Sequence, residues 1–346
     1  MHREVFGLTD VGLVREGNED ALLLLDDENL FVVADGMGGH ACGEVASAFT
    51  IEAIRAFYHS ADITRRVKAA HRRARPRGVE SAARAESAAQ GESAARGESG
   101  MRPPSGPPPG PGSDASFHGL RLRKAVESAN ISVYRLAQQH EQLRDMGTTV
   151  VATSFVGGRV YVANVGDSRV YRMRKGVLTQ LTEDHSLLNE YIKMNLLKPE
   201  EIESFPYKNV IVRALGLQES MAVDITMSTV RPGDQILLCT DGLTDLVRDE
   251  EIRRVLAGAP TAEAACHHLT EFAKARGGHD NITTLIVRIH DGPAPVRAKA
   301  PPPPPPAVAP NARGSGSFAV GPPPPGPSPT GPAPTGPAPT GSAPED

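Results

Sequence analysis

The chain is short of cysteine, of proline outside two stretches, of long apolar runs and of any large excess of one charge. Cys42, Cys239 and Cys266 are the only cysteines in 346 residues, and none stands in a Cys-x-x-Cys pair. Three thiols so placed argue against a disulfide framework and favour a reducing compartment. No Cys/His cluster argues for zinc, and each cysteine reads as a small apolar filler. No stretch approaches the ~20 apolar residues of a membrane span. The amino terminus, Met-His-Arg-Glu-Val, lacks the apolar segment of a secretory signal. These absences lead us to expect a cytoplasmic protein. Lys and Arg number 37 against 41 Asp and Glu, which gives no general pull toward nucleic acid or membrane.

Of 31 prolines, only Pro199, Pro206, Pro232 and Pro260 lie outside residues 72–118 and 291–346. Residues 72–118 open on a basic run (Arg72, Arg73, Arg75, Arg77) and continue as imperfect hexads, ESAARA/ESAAQG/ESAARG. Glycine recurs there and the hexads hold no apolar residue larger than Ala, so no face can be buried. This stretch reads as a disordered insertion in a surface loop, with a docking arm for an acidic partner as the other reading. Residues 291–346 read as an extended Pro/Gly/Ala tail, either a spacer or a ligand for a proline-reading module. The remainder of residues 1–290, roughly 240 residues, is enough for one domain with one sizeable core. Residues 65–118 hold ten basic and five acidic residues, so the acidic excess lies in that core, as fits carboxylates gathered for a metal.

Strand-like runs include Leu30–Ala34, Thr148–Phe155, Arg159–Asn164, Arg169–Met173, Gln235–Thr240 and Ile282–Ile289, and Gly157-Gly158 and Lys175-Gly176 between them read as hairpin turns. Helical periodicity marks Cys42–Tyr58, Leu120–His140, Asp249–Leu256 and Thr261–Ala275. Strands clustered between two helix pairs favour helices packed on antiparallel sheets over a doubly wound parallel sheet.

Four segments set Asp beside Gly or Asn at a strand end or turn: Arg15-Glu16-Gly17-Asn18-Glu19-Asp20, Ala34-Asp35-Gly36, Thr240-Asp241-Gly242-Leu243-Thr244-Asp245, and Gly277-Gly278-His279-Asp280-Asn281. One Asp-Gly alone is most simply a turn. Several carboxylates at the mouths of apolar strands cost free energy unless something pairs with them, which points to a shared cation. Carboxylate and carbonyl oxygens suit Mg²⁺ or Mn²⁺, and Gly36 leaves its own carbonyl free to reach a metal.

These segments also carry a family resemblance. RxxNED at 15–20, VVADGMGGHACGEVAS at 32–47, DMGTT at 145–149, VANVGDSRVYRMRKGVLTQLTEDHS at 162–186, VIVRALG at 210–216, LLCTDGLTD at 237–245 and GGHDNIT at 277–283 follow one another in order. Together they resemble the metal-dependent serine/threonine protein phosphatases of type 2C, in their bacterial branch. The resemblance implies an α+β fold, a central β-sandwich of two antiparallel sheets flanked by helix pairs, with the metal centre at one end of the sandwich. It implies a phosphatase domain over 1–290, interrupted at 72–118.

By the same resemblance, Asp35 bridges two metals, the Gly36 carbonyl binds one of them, and Asp241 and Asp280 complete the site. Glu19 and Asp20 act through bound waters, Arg15 holds the substrate phosphate, and Asp145 is a ligand of a weaker third ion. Asn281 orients its neighbours. Two Mn²⁺ or Mg²⁺ ions would neutralise a phosphate monoester and lower the pKa of a bridging water, whose hydroxide attacks phosphorus in line. The leaving alkoxide needs a proton. Where many relatives carry His this chain has Met37, which leaves His40, with His279 as the weaker alternative. Residues 185–209 match the family's variable flap, where Leu187, Leu188, Tyr191 and Ile192 serve helix packing or substrate contact.

The expected partners are phosphorylated proteins, among them a bacterial Ser/Thr kinase that the enzyme opposes and that kinase's substrates, and the chain is expected to be a monomer. Two alternatives stay open: a phosphatase acting on a regulatory protein such as an anti-sigma-factor antagonist, and a catalytically silent binding module.

Overall fold

The computed structural model describes residues 1–38, 42–73, 114–198, 201–202, 205–207 and 210–292. Residues 293–346 of the expected tail, most of the insertion and His40 therefore lie outside the described residues. Eleven strands are described: β1 His2–Asp10, β2 Asp20–Leu25, β3 Leu30–Met37, β4 Gly147–Thr148, β5 Val150–Val156, β6 Arg159–Val165, β7 Arg169–Arg174, β8 Val177–Gln180, β9 Asp224–Thr229, β10 Gln235–Cys239 and β11 Ile282–His290. The helices are α1 Cys42–His59, α2 Ala61–Arg73, α3 Asp114–Gln139, α4 Leu187–Lys193, α5 Asp241–Thr244, α6 Asp249–Gly258 and α7 Ala262–Ala275.

One sheet runs β1-β11-β10-β7-β8 and the other β2-β3-β5-β6-β9, with the short β4 paired to β3; the pairings within both are antiparallel. Both expected hairpins form. Gly157 and Gly158 have φ +54° and +74°, and Lys175 and Gly176 have φ +49° and +80°. Two residues with positive φ make the turn whose twist matches that of its strands.

Strand alternation builds the layers. On β3, Phe31 and Val33 point into the apolar interior between the sheets with Val151, Ile236, Leu238 and Leu285. Leu30, Val32 and Ala34 point the other way, against Ile51 and Ile54 of α1 and Leu122, Val126 and Ala129 of α3. On the far side, Leu237 and Ile286 meet Ile252 and Leu256 of α6 and Cys266 and Leu269 of α7. Each fully buried Leu or Ile contributes roughly 1.5–3 kcal/mol relative to exposure. The result is helices, sheet, sheet, helices, the α+β sandwich expected.

The structure differs from these expectations at several elements: Thr148–Phe155 divides into β4 and β5, and α2 and β1, β2, β8 and β9 are additional. The third helix begins at Asp114, six residues before its apolar periodicity, and Phe117 meets the His71 ring edge-on at 5.9 Å. The expected insertion at 72–118 therefore overlaps the end of α2 and the first turn of α3. Helix α2 escaped notice because it buries no residue completely; only Ile63 and Val67 lean on the core. Strand β1 escaped notice for the same reason: it lies at a sheet edge with most of its side chains half-buried. Among the described residues, no helix is long and apolar enough to cross a membrane.

Candidate active site

The acidic segments, 265 residues apart in sequence at the Arg15–Asp280 hydrogen bond, meet at one rim of the sandwich. Asp20 opens β2 and Asp35 nears the end of β3, and the two are direct partners across that ladder. Asp241 follows β10 at the start of α5, and Asp280 precedes β11 by two residues.

Each carboxylate is held by its surroundings. Asp20 is buried, and its Oδ2 accepts from Thr240 Oγ1 at 3.0 Å and Thr283 Oγ1 at 2.7 Å. Its Oδ1 is buried without a partner. The Asp35 carbonyl accepts from the Thr149 N–H and the Thr148 hydroxyl, both at 2.8 Å, and its own N–H donates to Thr149 Oγ1 at 3.2 Å. Asn281 acts as a staple: its amide donates to the carbonyls of Val11 (3.0 Å) and Gly17 (2.9 Å), and its oxygen accepts from the Glu19 N–H (2.8 Å). That bond set ties the RxxNED loop to the start of β11. A side chain at Gly36 would run into Gly43 and the Glu19 carbonyl, so only glycine allows α1 and the loop at Glu19 to close on the site.

The electrostatics follow from crowding. Burial, then the charges of Asp241 and Asp280, push the Asp20 carboxyl up to about 7. Burial, then Asp245 and Asp280, push Asp241 up to about 6. Asp35 rises well above the ordinary carboxylate range through burial and the charges of Asp20, Asp241 and Asp167. Asp35 and Asp241 are half-buried as residues, yet protein encloses their carboxylates closely enough that burial dominates. Burial also raises Glu19, opposed by Arg15 and by the Gly43 N–H at the start of α1.

Arg15 stands over this wall, with Nη2 2.8 Å from Asp280 Oδ2 and Nη1 3.8 Å from Glu19 Oε2. Its side chain is 46% exposed, so the guanidinium can turn to an incoming anion. Asp145 is the candidate that stands apart. It is exposed, and its backbone carbonyl, rather than its carboxylate, lies near Gly38. His279 is exposed beside Asp280.

The structure adds two acids. Asp167, on the turn after β6, is buried, leaves Oδ1 without a partner, and is pushed up to about 8 by burial and then by Asp241, with Asp184 and Asp245 behind. Asp245 acts on both Asp241 and Asp167. The signal for Asp167 is in the sequence: Asp beside Gly after an apolar strand is the pattern that marks Asp35. Cys239 and Cys266 are poor nucleophiles, since burial pushes their thiols up to about 12.

A profile of the family described as Protein phosphatase 2C matches residues 15–275. The chain belongs to that family. The serine/threonine protein phosphatase PstP of Mycobacterium tuberculosis is 33% identical over 283 residues, 82% of this chain and 44% of the relative, so the chain spans less than half of that protein's length. The serine/threonine phosphatase stp of Listeria monocytogenes is 32% identical over 290 residues, 83% of this chain and 95% of the relative. A crystal structure of the catalytic domain of serine/threonine protein phosphatase PstP in complex with two manganese ions superposes with a TM-score of 0.60 at 31% identity, covering 84% of this chain and 99% of that one. Membership of the protein phosphatase 2C family accounts for the sandwich.

Proposed function

We propose that the chain is a metal-dependent phosphatase that hydrolyses phosphoserine and phosphothreonine in proteins. The observation that carries this reading is a wall of carboxylates from five separate strand ends, with Asp20, Asp35, Asp167 and Asp241 raised in pKa by burial and neighbouring charge and an exposed guanidinium above it.

The donor set fits hard divalent cations. It is all oxygen, it includes the unpartnered Oδ1 atoms of Asp20 and Asp167, and a cation would relieve the repulsion that raises these acids. Among the described residues, no three such side chains converge on one point at ligand distance. The carboxylates adjoin in pairs, and side-chain rotation is needed to close a cage. Asp35 would serve two ions, with the Gly36 carbonyl, Asp241 and Asp280 completing their shell. Glu19 and Asp20 would act through water, and a weaker third ion suits Asp167 and Asp245 better than exposed Asp145. The manganese of the related PstP structure favours Mn²⁺ over Mg²⁺. When bound, such a pair supplies charge neutralisation and a water that is nucleophilic at neutral pH.

The chain's own residues do the rest. Arg15 leaves Asp280 for the phosphate, which it holds through two parallel N–H bonds. Asn281 and the two threonines keep Asp20 and Glu19 from turning away. Attack on phosphorus forms one P–O bond as the bond to the Ser or Thr oxygen breaks, and that oxygen takes a proton. We assign the donor to His40; an unchanged pH–rate profile in His40→Ala rejects that assignment.

Beside the rim, α4 buries no residue completely. Tyr191 packs on Phe205 at 5.2 Å, whereas Met194 and Leu196 are exposed and available to a substrate polypeptide. The relatives' names support phosphorylated proteins as partners, among them the targets of a Ser/Thr kinase. Phosphate release from a phosphopeptide is expected to stop in EDTA and return with excess Mn²⁺. Full turnover in chelator would overturn the reading.

A further inference from the structure

The turn that carries Asp167 is gripped from both sides. Gly166 has φ +106°, and a Cβ there would lie 2.5 Å from the Cβ of Thr149. Thr149 in turn shares a 2.7 Å hydroxyl contact with Ser168 and accepts from the Asp35 N–H. On the other side stands His185, whose side chain is 2% exposed. Its backbone N–H donates to the Gly166 carbonyl at 2.9 Å, and the Gly166 N–H donates to its Nδ1 at 3.1 Å.

This geometry fixes the tautomer. A ring nitrogen that accepts from an amide carries no proton, so the proton of the neutral ring sits on Nε2. Nε2–H then donates to Asp224 Oδ2 at 3.1 Å. Arg213 Nη1 also lies 3.1 Å from Nε2. Two donors cannot bond each other, and that nitrogen donates instead to Asp224 Oδ1 at 3.1 Å. The His185 carbonyl accepts from the Val212 N–H at 2.9 Å. The imidazole thus links Asp224, at the start of β9, and the segment leading to Ala214 with the turn that presents Asp167.

We propose that His185 is a positioning residue that holds the Gly166–Asp167 turn through Nδ1 and so sets the Asp167 carboxylate in the metal-binding wall. This rests on the reading above that Asp167 is one of the acids that hold a cation. A histidine that merely fills space would be judged by its volume; a positioning histidine is judged by which ring nitrogen is replaced. In His185→Asn the amide oxygen stands near the place of Nδ1 and keeps an acceptor for Gly166. In His185→Gln the amide reaches the place of Nε2, keeping Asp224 and losing Gly166.

The test is calorimetric titration of the full chain with Mn²⁺, paired with kcat and KM on p-nitrophenyl phosphate and with thermal unfolding in chelator. His185→Gln and His185→Ala are expected to weaken Mn²⁺ binding about 10-fold, the cost of losing a group that orients a ligand. Their kcat at fixed Mn²⁺ should fall with little change in KM, and His185→Asn should restore most of both. Asn and Gln variants with equal Mn²⁺ affinity, or affinities that simply follow unfolding temperature, overturn the proposal. Asp167→Asn separates the two ideas: if it leaves Mn²⁺ binding intact, the cation reading of Asp167 fails; if it weakens binding while His185→Gln does not, only the role of His185 fails. Should the variants not fold, the imidazole ¹⁵N spectrum of the unaltered protein decides. A protonated Nδ1 at neutral pH overturns the proposal, and a protonated Nε2 is the expected result.

Discussion

Replacing Asp241 by Asn is expected to lower kcat on the order of 10³-fold, because a charge that binds and neutralises at the reacting centre is lost. The same change should stabilise the chelated protein. Asp241 is pushed up by burial and by Asp245 and Asp280, so its charge is a cost to the cation-free fold, and Asn removes the charge while keeping the shape. A gain of about 1 kcal/mol would raise Tm by about 2–4 °C in a domain of this size. Phosphate release and thermal unfolding in EDTA check both halves. A variant that loses activity and also loses stability in chelator would show that Asp241 is a structural partner, not a charge held ready for a cation.

The second large effect is a stability that falls as pH rises. Asp20, Asp241 and Asp167 have native pKa values raised to about 7, 6 and 8 from 3.8. Below the unfolded value both states are protonated and nothing is lost. Between about 4 and about 8 the unfolded chain gives up protons that the native wall retains, so native stability declines across that window and levels off above it. His185 works in the opposite sense: burial holds its pKa below 6.5, so it costs stability as pH falls. It is one group against several. The chelated protein is therefore expected to lose several degrees in Tm between pH 5 and pH 8. Saturating Mn²⁺ should remove most of that slope and release protons on binding, which calorimetry in buffers of different ionisation enthalpy measures. A flat Tm in EDTA across this range would contradict the crowding of the wall.

Much of the site was legible because its chemistry is local. Asp35-Gly36, Asp241-Gly242 and Asp280-Asn281 each announce a carboxylate at the mouth of an apolar strand, and Arg15 with Glu19 and Asp20 announces its partner loop. Asp167 carries the same mark, but its segment reads equally well as one strand leading into another. What sets it apart is Thr149 on one side and His185 on the other, each in contact with its turn across 19 residues, which no periodicity encodes. Asp145 is read as a site residue from its adjacency to the Met146-Gly147-Thr148-Thr149 run, and in the fold it is exposed, so only its place in the sequence marks it.

The sequence by itself determined the strands with buried faces, the two-residue hairpins, the helices with apolar stripes and the acidic turns, since each depends on neighbours within a few positions. It could not reveal β1 or α2, whose half-buried patterns acquire a partner only when β11 and α3 lie beside them. Only the tertiary structure decided which acids share a wall, which of their oxygens go unpartnered and how far their pKa values climb. Those are properties of distance and burial, and the fold sets them by bringing together strand ends that are remote in sequence.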